Sequence, residues 1–185
     1  MNMGSRATYQ RMAETRDWKN KITPDLKSFI EERDSFYMAT SNEEGQPYIQ
    51  HRGGPKGFLK VMDDETLAFA DYSGNRQYIS IGNLDDNQRV HLFLMDYPNQ
   101  TRVKIWGEAK VIHATDPQYI KAIPSDYKAK IERILSIKIT AWDINCPQHI
   151  QRRFTLEELQ PHLKALHEKI ESLEDSLAQY QQASS

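Results

Sequence analysis

A period-two alternation of apolar and polar residues constrains this chain more than any other feature. Val90, Leu92 and Leu94 alternate with Arg89, His91 and Phe93, and Val103, Ile105, Ala109 and Val111 alternate with Arg102, Lys104, Trp106, Glu108 and Lys110. A third run sets Leu135, Ile137, Ile139 and Ala141 against Ser136, Lys138, Thr140 and Trp142. Such alternation places apolar side chains on one face of a strand and polar ones on the other. Phe36 to Thr40 and Gln46 to His51 predict a hairpin around Asn42-Glu43-Glu44-Gly45, whose glycine suits a left-handed loop position. Phe58 to Met62 and Thr66 to Asp71 predict a second, turning at Asp63-Asp64-Glu65. Gly107 interrupts its strand where a bulge or barrel bend would sit. Strands joined in hairpins with few helices indicate a mainly β (α+β) fold, a closed or split antiparallel β-barrel of six to seven strands with flanking helices.

Thr23-Pro24-Asp25 marks a helix start, with an N-cap, a proline in the first turn and an acid behind it. Leu26, Phe29 and Ile30 give this helix one apolar face up to about Arg33, suited to capping an end of the barrel. A second helix is predicted from Asn75 to about Leu84, and two short helical turns between Asp116 and Tyr127, split by Pro124. After a capping box, Thr155-x-x-Glu158, apolar residues recur at Leu156, Leu159, Leu163, Leu166, Ile170, Leu173, Leu177 and Tyr180 in steps of three and four. That pattern predicts a long helix with a heptad seam, kinked or restarted at Pro161 and continuous from there to Tyr180. Its seam suits either a helix partner or the surface of a barrel. The chain therefore divides into an N-terminal helical segment (1–34) packed on the barrel, the barrel itself (35–154) and a C-terminal amphipathic helix (155–185).

At 185 residues the chain is long enough for one domain. Lys plus Arg number 24 against 26 for Asp plus Glu, a net charge of -2, so no global field recruits nucleic acid or an anionic membrane. No run approaches the roughly 18 apolar residues of a membrane span, and MNMGSRATYQ lacks the apolar core of a signal peptide. The expectation is a soluble, cytoplasmic protein. Cys146 is the single cysteine, which excludes an intrachain disulfide or a thiolate cluster within one chain. No spacing among the six histidines makes a metal site, and no Ser-His-Asp or paired-carboxylate pattern stands out.

One local pattern carries more specific chemistry. The strand Leu67, Phe69, Asp71 runs into Tyr72-Ser73-Gly74 and then Asn75-Arg76-Gln77 at a helix start. Gly74 can take backbone angles closed to other residues, Asn75 suits an N-cap, and free amides at a helix start attract an anion. Arg76 would oppose the helix dipole unless it grips a phosphate. The same residues also fit a plain turn with Arg76 in water. Nearby, His51-Arg52-Gly53-Gly54-Pro55-Lys56 is a cationic, glycine-rich approach to Gly57-Phe58-Leu59-Lys60-Val61. Near the end of the barrel, Trp142 to Ile150 gathers polar and aromatic groups after a strand end, where sites commonly lie or where a loop simply covers the barrel. His149 there is the candidate acid or base.

These residues resemble a known family. FLKVMDDETLAFADYSGNRQ, followed by RVHLFLMD and RVKIWGEAKV, is similar to the pyridoxamine 5'-phosphate oxidase family of FMN-binding split β-barrels. QHRGGPKGFLK, GNRQYIS, MDYPNQTRVKIWG and AWDINCPQHI resemble its subgroup of predicted flavin-nucleotide-binding proteins, and the likeness covers roughly Phe36 to Phe154. It implies FMN as cofactor, a homodimer with flavin at the barrel interface touched by both chains, and an oxidoreductase acting on an unidentified small molecule. A non-catalytic flavin carrier or sensor is the alternative, and a longer deazaflavin could replace FMN. By this resemblance Lys60, Arg76 and Gln77 match positions that contact the phosphate and ribityl end, and Ala70 and Asp71 match the pair leading into that loop. Asn75, Phe58, Leu59, Trp142 and Gln148 join the implied cofactor-binding set. Pro55 stands where the family's strand motif begins with arginine, so Arg52 and Lys56 are the candidate substitutes. Arg102 stands where the family usually sets a glutamine against the flavin pyrimidine edge, and could stabilise negative charge near N1 of reduced flavin.

The family's oxidases carry, near the C-terminus, an Arg-x-His element that holds substrate phosphate. Here Pro147 stands two residues before His149. Purified protein is accordingly expected to show little or no oxidation of pyridoxamine 5'-phosphate in an oxygen-consumption assay; robust turnover would contradict this reading.

Overall fold

The computed structural model describes residues 20–74, 78–121, 123, 128–145 and 147–183. Seven strands, β1 (Ser35–Ser41), β2 (Pro47–Gly53), β3 (Lys60–Val61), β4 (Thr66–Tyr72), β5 (Arg89–Asp96), β6 (Thr101–His113) and β7 (Ile131–Asn145), form one sheet. The sheet order is β2-β1-β5-β6-β7-β4-β3, and every pairing is antiparallel. The sheet is curled but not closed, as in a split barrel. Among the described residues four helices accompany it: α1 (Pro24–Glu31), α2 (Ile79–Asp86), α3 (Pro117–Ile120) and α4 (Leu156–Ala183). Among the described residues no helix is long and apolar enough to cross a membrane.

The inward residues of the alternating strands make the core. Met38, Leu67, Leu92, Leu94, Val103, Ile105, Leu135 and Ile137 are fully buried there. Phe36, Phe58 and Phe69 form its aromatic centre, Phe36 stacking on Phe58 at 5.5 Å and meeting Phe69 edge-on at 5.2 Å. α1 plugs one end with Leu26 and Ile30, and the Thr23 hydroxyl accepts from the Leu26 amide as its cap. β4 is buried on both faces. Leu67 and Phe69 face the main core, while Ala68 and Ala70 face a second cluster with Ile134 and Ile123, flanked by Ile112 and Tyr119.

Several expectations need correction. The second hairpin pairs through Lys60 and Val61 only, because Gly57 at φ +71 and the Phe58 amide bonded to the Pro55 carbonyl turn the chain before it can lie along β4. Val111 does not continue the buried face of β6 and is 43% exposed. A register shift between Trp106 and Gly107 skips Thr140 of β7; Ala109 after it still faces the main core, and Ile112 on the opposite phase packs on the second cluster. Gly74 does not adopt the left-handed backbone expected of it. The helix after it is described from Ile79, and its expected start at Asn75 to Gln77 lies outside the described residues. Of the two turns expected between Asp116 and Tyr127, α3 is one, and residues 124–127 lie outside the described residues.

α4 runs unbroken through Pro161 for 28 residues instead of restarting there. The capping box forms as expected: the Thr155 amide donates to Glu158 Oε2 at 2.7 Å, and the Glu158 amide donates to Thr155 Oγ1 at 3.2 Å. The helix is thus nucleated more than a turn before the proline, and only the bond that the Pro161 nitrogen would have made to Glu157 is lost.

A Cβ added at Gly107 would lie 2.6 Å from the Lys138 carbonyl oxygen and 2.8 Å from Ile137. Backbone cannot yield as a flexible side chain does, so Gly107→Ala should destabilise the fold by about 1–3 kcal/mol, measured as a lower midpoint in urea at unchanged slope.

Candidate functional site

Arg52, near the end of edge strand β2, reaches across the split of the barrel to Asp71 near the end of β4. Arg52 Nη1 lies 2.6 Å from Asp71 Oδ1, and the side chains are only 12% and 11% exposed. Arg133 on β7 approaches the other carboxylate oxygen at 3.4 Å, pairs with Glu132 at 2.8 Å, and lies over the Tyr78 ring at 4.7 Å. The Ser73 amide, just after β4, is tied to the Lys130 carbonyl at 2.8 Å. Arg52 Nε is buried with no hydrogen-bond partner among the described residues. A charged donor left without an acceptor in the interior is costly.

Behind this corner α2 is fixed by side-chain bonds to the first hairpin. The Ser80 hydroxyl donates to Gln50 Oε1 at 3.1 Å, Asn83 to Thr40 Oγ1 at 2.9 Å and Asn87 to Ser41 Oγ at 2.8 Å.

The other face of the β1, β2, β5, β6 sheet carries a second feature. Register places Tyr37 opposite both His51 and Phe93, Phe93 opposite Lys104, and His91 opposite Trp106. This half-buried aromatic face opens at one end into a cleft of about 540 Å³ lined by Tyr37, Phe93, Met95, Tyr97, Arg102 and His149, among others. Two residues at its rim hold left-handed backbones, Gln100 at φ 52 and His149 at φ 65. The Gln100 amide nitrogen donates to the Ile150 carbonyl at 2.7 Å, and Arg152 Nε donates to Gln100 Oε1 at 3.3 Å, so the loop after β7 is pinned to the β5–β6 turn. Arg153 stacks on Tyr97 at 4.8 Å. A larger hollow of about 810 Å³ lies beside it, but its charges are engaged with one another, Arg33 with Asp96 at 3.0 Å and Lys56 with Glu32. The smaller cleft is the better site for a flat ligand.

The structure sorts the sequence-derived residues into separate places. Arg52 and Asp71 meet at the split. Lys60 lies opposite Ala68 in the β3–β4 pair and so shares the second face of β4 with Ala70, away from Asp71. Lys56 sits on the Glu32 side of the larger hollow. Phe58 and Leu59 are core residues. Trp142 is also in the core, its indole N–H donating to the Lys21 carbonyl at 2.8 Å. Arg102 and His149 come together at the cleft, and Gln148 precedes His149 as an exposed residue. Asn75, Arg76 and Gln77 lie outside the described residues. Sequence reasoning missed Arg133, and it missed Tyr37, Phe93 and Tyr97 as cleft walls. The aromatic residues on the polar phase of β1 and β5 were the available signal. Among the described residues no group of His, Cys, Asp or Glu could hold a metal ion.

Residues 22–146 match the family model described as pyridoxamine 5'-phosphate oxidase. The chain is similar to the structure of a pyridoxamine 5'-phosphate oxidase-like protein from Lactobacillus delbrueckii, with 21% identity over 68% of this chain and 95% of that one, at a TM-score of 0.51. It is similar to an FMN-binding protein from Syntrophomonas wolfei at 14% identity, covering 77% and 95%, with a TM-score of 0.51. HupZ of Group A Streptococcus matches at 17% identity, 72% and 99% coverage and a TM-score of 0.52. At these identities the three structures establish the fold alone. No curated protein sequence matches the chain.

His91 lies 4.9 Å from Trp106, and its Nε2 is buried without a hydrogen-bond partner among the described residues. Burial, reinforced by the positive charge of Lys104, holds its pKa below the ordinary 6.5. The unfolded chain therefore takes up this proton more readily than the folded one. Its stabilising contribution is complete above pH 6.5 and declines as pH falls below that value. Urea titrations from pH 7.5 to 5 should show a decline in stability that His91→Phe makes shallower.

Proposed function

This chain belongs to the pyridoxamine 5'-phosphate oxidase family, and we propose that it is an FMN-binding flavoprotein, an oxidoreductase acting on a small molecule other than pyridoxamine 5'-phosphate. The observation that carries the reading is the half-buried aromatic cleft with Arg102 and His149 at its edge. Its volume falls in the usual range for cofactor and ligand pockets, about 300–1,000 Å³. Apolar walls suit a flat ring system, and an arginine at the rim suits the negative charge that a flavin gains on reduction. The unpartnered Nε of Arg52, beside the turn that leads to Arg76, supports an anion site at the opposite end. Both features fit the two ends of FMN, a ring and a phosphate.

The two features face opposite sides of one hairpin. Ile49 lines the cleft, while Gln50 and Arg52 turn toward α2 and β4. A single chain thus offers the ring face and the anion corner to different directions. This separation supports a homodimer in which each flavin takes its phosphate from one copy and ring contacts from the other. When bound, FMN would supply the redox chemistry. Arg52 and Arg76 would hold the phosphate, Arg102 would balance charge at the ring, and His149 would donate or accept a proton at the cleft edge.

Losing one charge-assisted contact costs on the order of 1.5–3 kcal/mol. Arg76→Ala should therefore weaken FMN about tenfold or more in a fluorescence titration, and a mass spectrum of the ligand released on denaturation should give FMN. Unchanged affinity would reject the anion corner, and release of a deazaflavin would reject the cofactor.

A further inference from the structure

α4 makes no substantial contact with the sheet among the described residues. Leu163, Leu166, Ile170, Leu173 and Leu177 are each 50–61% exposed. An isolated helix gains little from propensity alone, and its stability normally comes from burying such a face. With Leu156, Leu159 and Tyr180, these residues follow a strict three-four spacing, a and d of a heptad. At two apolar residues per heptad the stripe is narrower than a helix packed on a globular core requires.

We infer that α4 pairs with α4 of a second copy as a parallel, in-register, two-stranded coiled coil. The flanking charges select this occupant. Taking Leu163 as a, Lys169 falls at g and Glu174 at e, five residues apart, the spacing that faces g of one helix with e of the other in a parallel pair. By symmetry the contact forms twice. The remaining flank residues from Leu156 to Gln181 are His162, His167, Gln160, Ser176 and Gln181, so no Lys faces Lys and no Glu faces Glu. With the same core aligned antiparallel, Lys169 would face His162 and Glu174 would face His167, and the Lys-Glu contact would be lost. Ile170, the one β-branched residue at a, stands between Leu166 and Leu173 at d, the local arrangement that favours two strands, while Leu156, Leu163 and Leu177 fill the other a positions. The outer positions agree. Lys164 and Glu168 form an i,i+4 pair at 3.8 Å on the side away from the seam. Pro161 falls at f, so the hydrogen bond it omits faces water. The 28 residues give a rod about 42 Å long, and none of the flavin-related residues lies in it.

The inference does not depend on the flavin reading, and its test reads the seam itself. In the full-length protein, Ile170→Cys should form an interchain disulfide under mild oxidation at least about tenfold faster than Glu168→Cys, because an a position brings its own copy within bonding reach and an f position does not. Wild-type protein, with Cys146 alone, is the background. Lys169→Glu should weaken self-association in sedimentation equilibrium by roughly fivefold or more, and Lys169→Glu combined with Glu174→Lys should restore it. Equal cross-linking at the two positions would overturn the coiled coil. Stronger association of the Lys169→Glu variant would overturn the parallel orientation.

Discussion

The ion pair between Arg52 and Asp71 is the constraint on which the site depends. β2 is one edge of the sheet, and β4 lies next to the other, so their contact exists only because the sheet has curled back on itself. Both side chains are nearly buried, and breaking such a pair from one side typically costs about 3–5 kcal/mol. Arg133 adds a second guanidinium to the same carboxylate. The outcome is a corner with two arginines, one of them holding an unsatisfied donor, at the mouth of a barrel that stays open. A fully closed barrel would have paired the edge strands through backbone bonds and left no such corner.

From this closure follows the division of the molecule into two faces. Alternation along β2 sends Gln50 and Arg52 to the α2 and β4 side and Ile49 and His51 to the other. The outer side collects His91, Phe93 and Trp106 at partial burial beside the exposed Tyr37, an aromatic surface rather than an ordinary solvated one. Its rim is held in an unusual backbone state by Gln100 and His149, and the hydrogen bond between Gln100 and Ile150 accounts for the loop staying against the β5–β6 turn. Ile150 contributes by being nearly buried.

Much was legible in the chain itself. Residue alternation determined the strands because a half-buried sheet imposes its period directly on the sequence. The Thr23 and Thr155 caps were legible because capping is local chemistry, settled within three residues. The seam of α4 was legible for the same reason. The irregularity at Gly107 was also visible, since a missing side chain in an apolar alternation signals close backbone approach, here to Lys138, although the extra residue is Thr140 on β7.

Only the tertiary structure decided what is set by distant partners. Lys60 and Asp71 stand close in sequence, yet pairing parity puts them on opposite faces of β4. Arg52 and Lys56, equivalent as candidates in sequence, part company because one finds Asp71 across the split and the other Glu32. Arg133 reaches the corner through the register of β7 against β4, and Trp142 turns inward to the Lys21 carbonyl rather than to the cleft. A side chain's type and phase are written locally, but the partner that neutralises a charge or accepts an indole proton is fixed by how the sheet curls, which no short window of sequence contains.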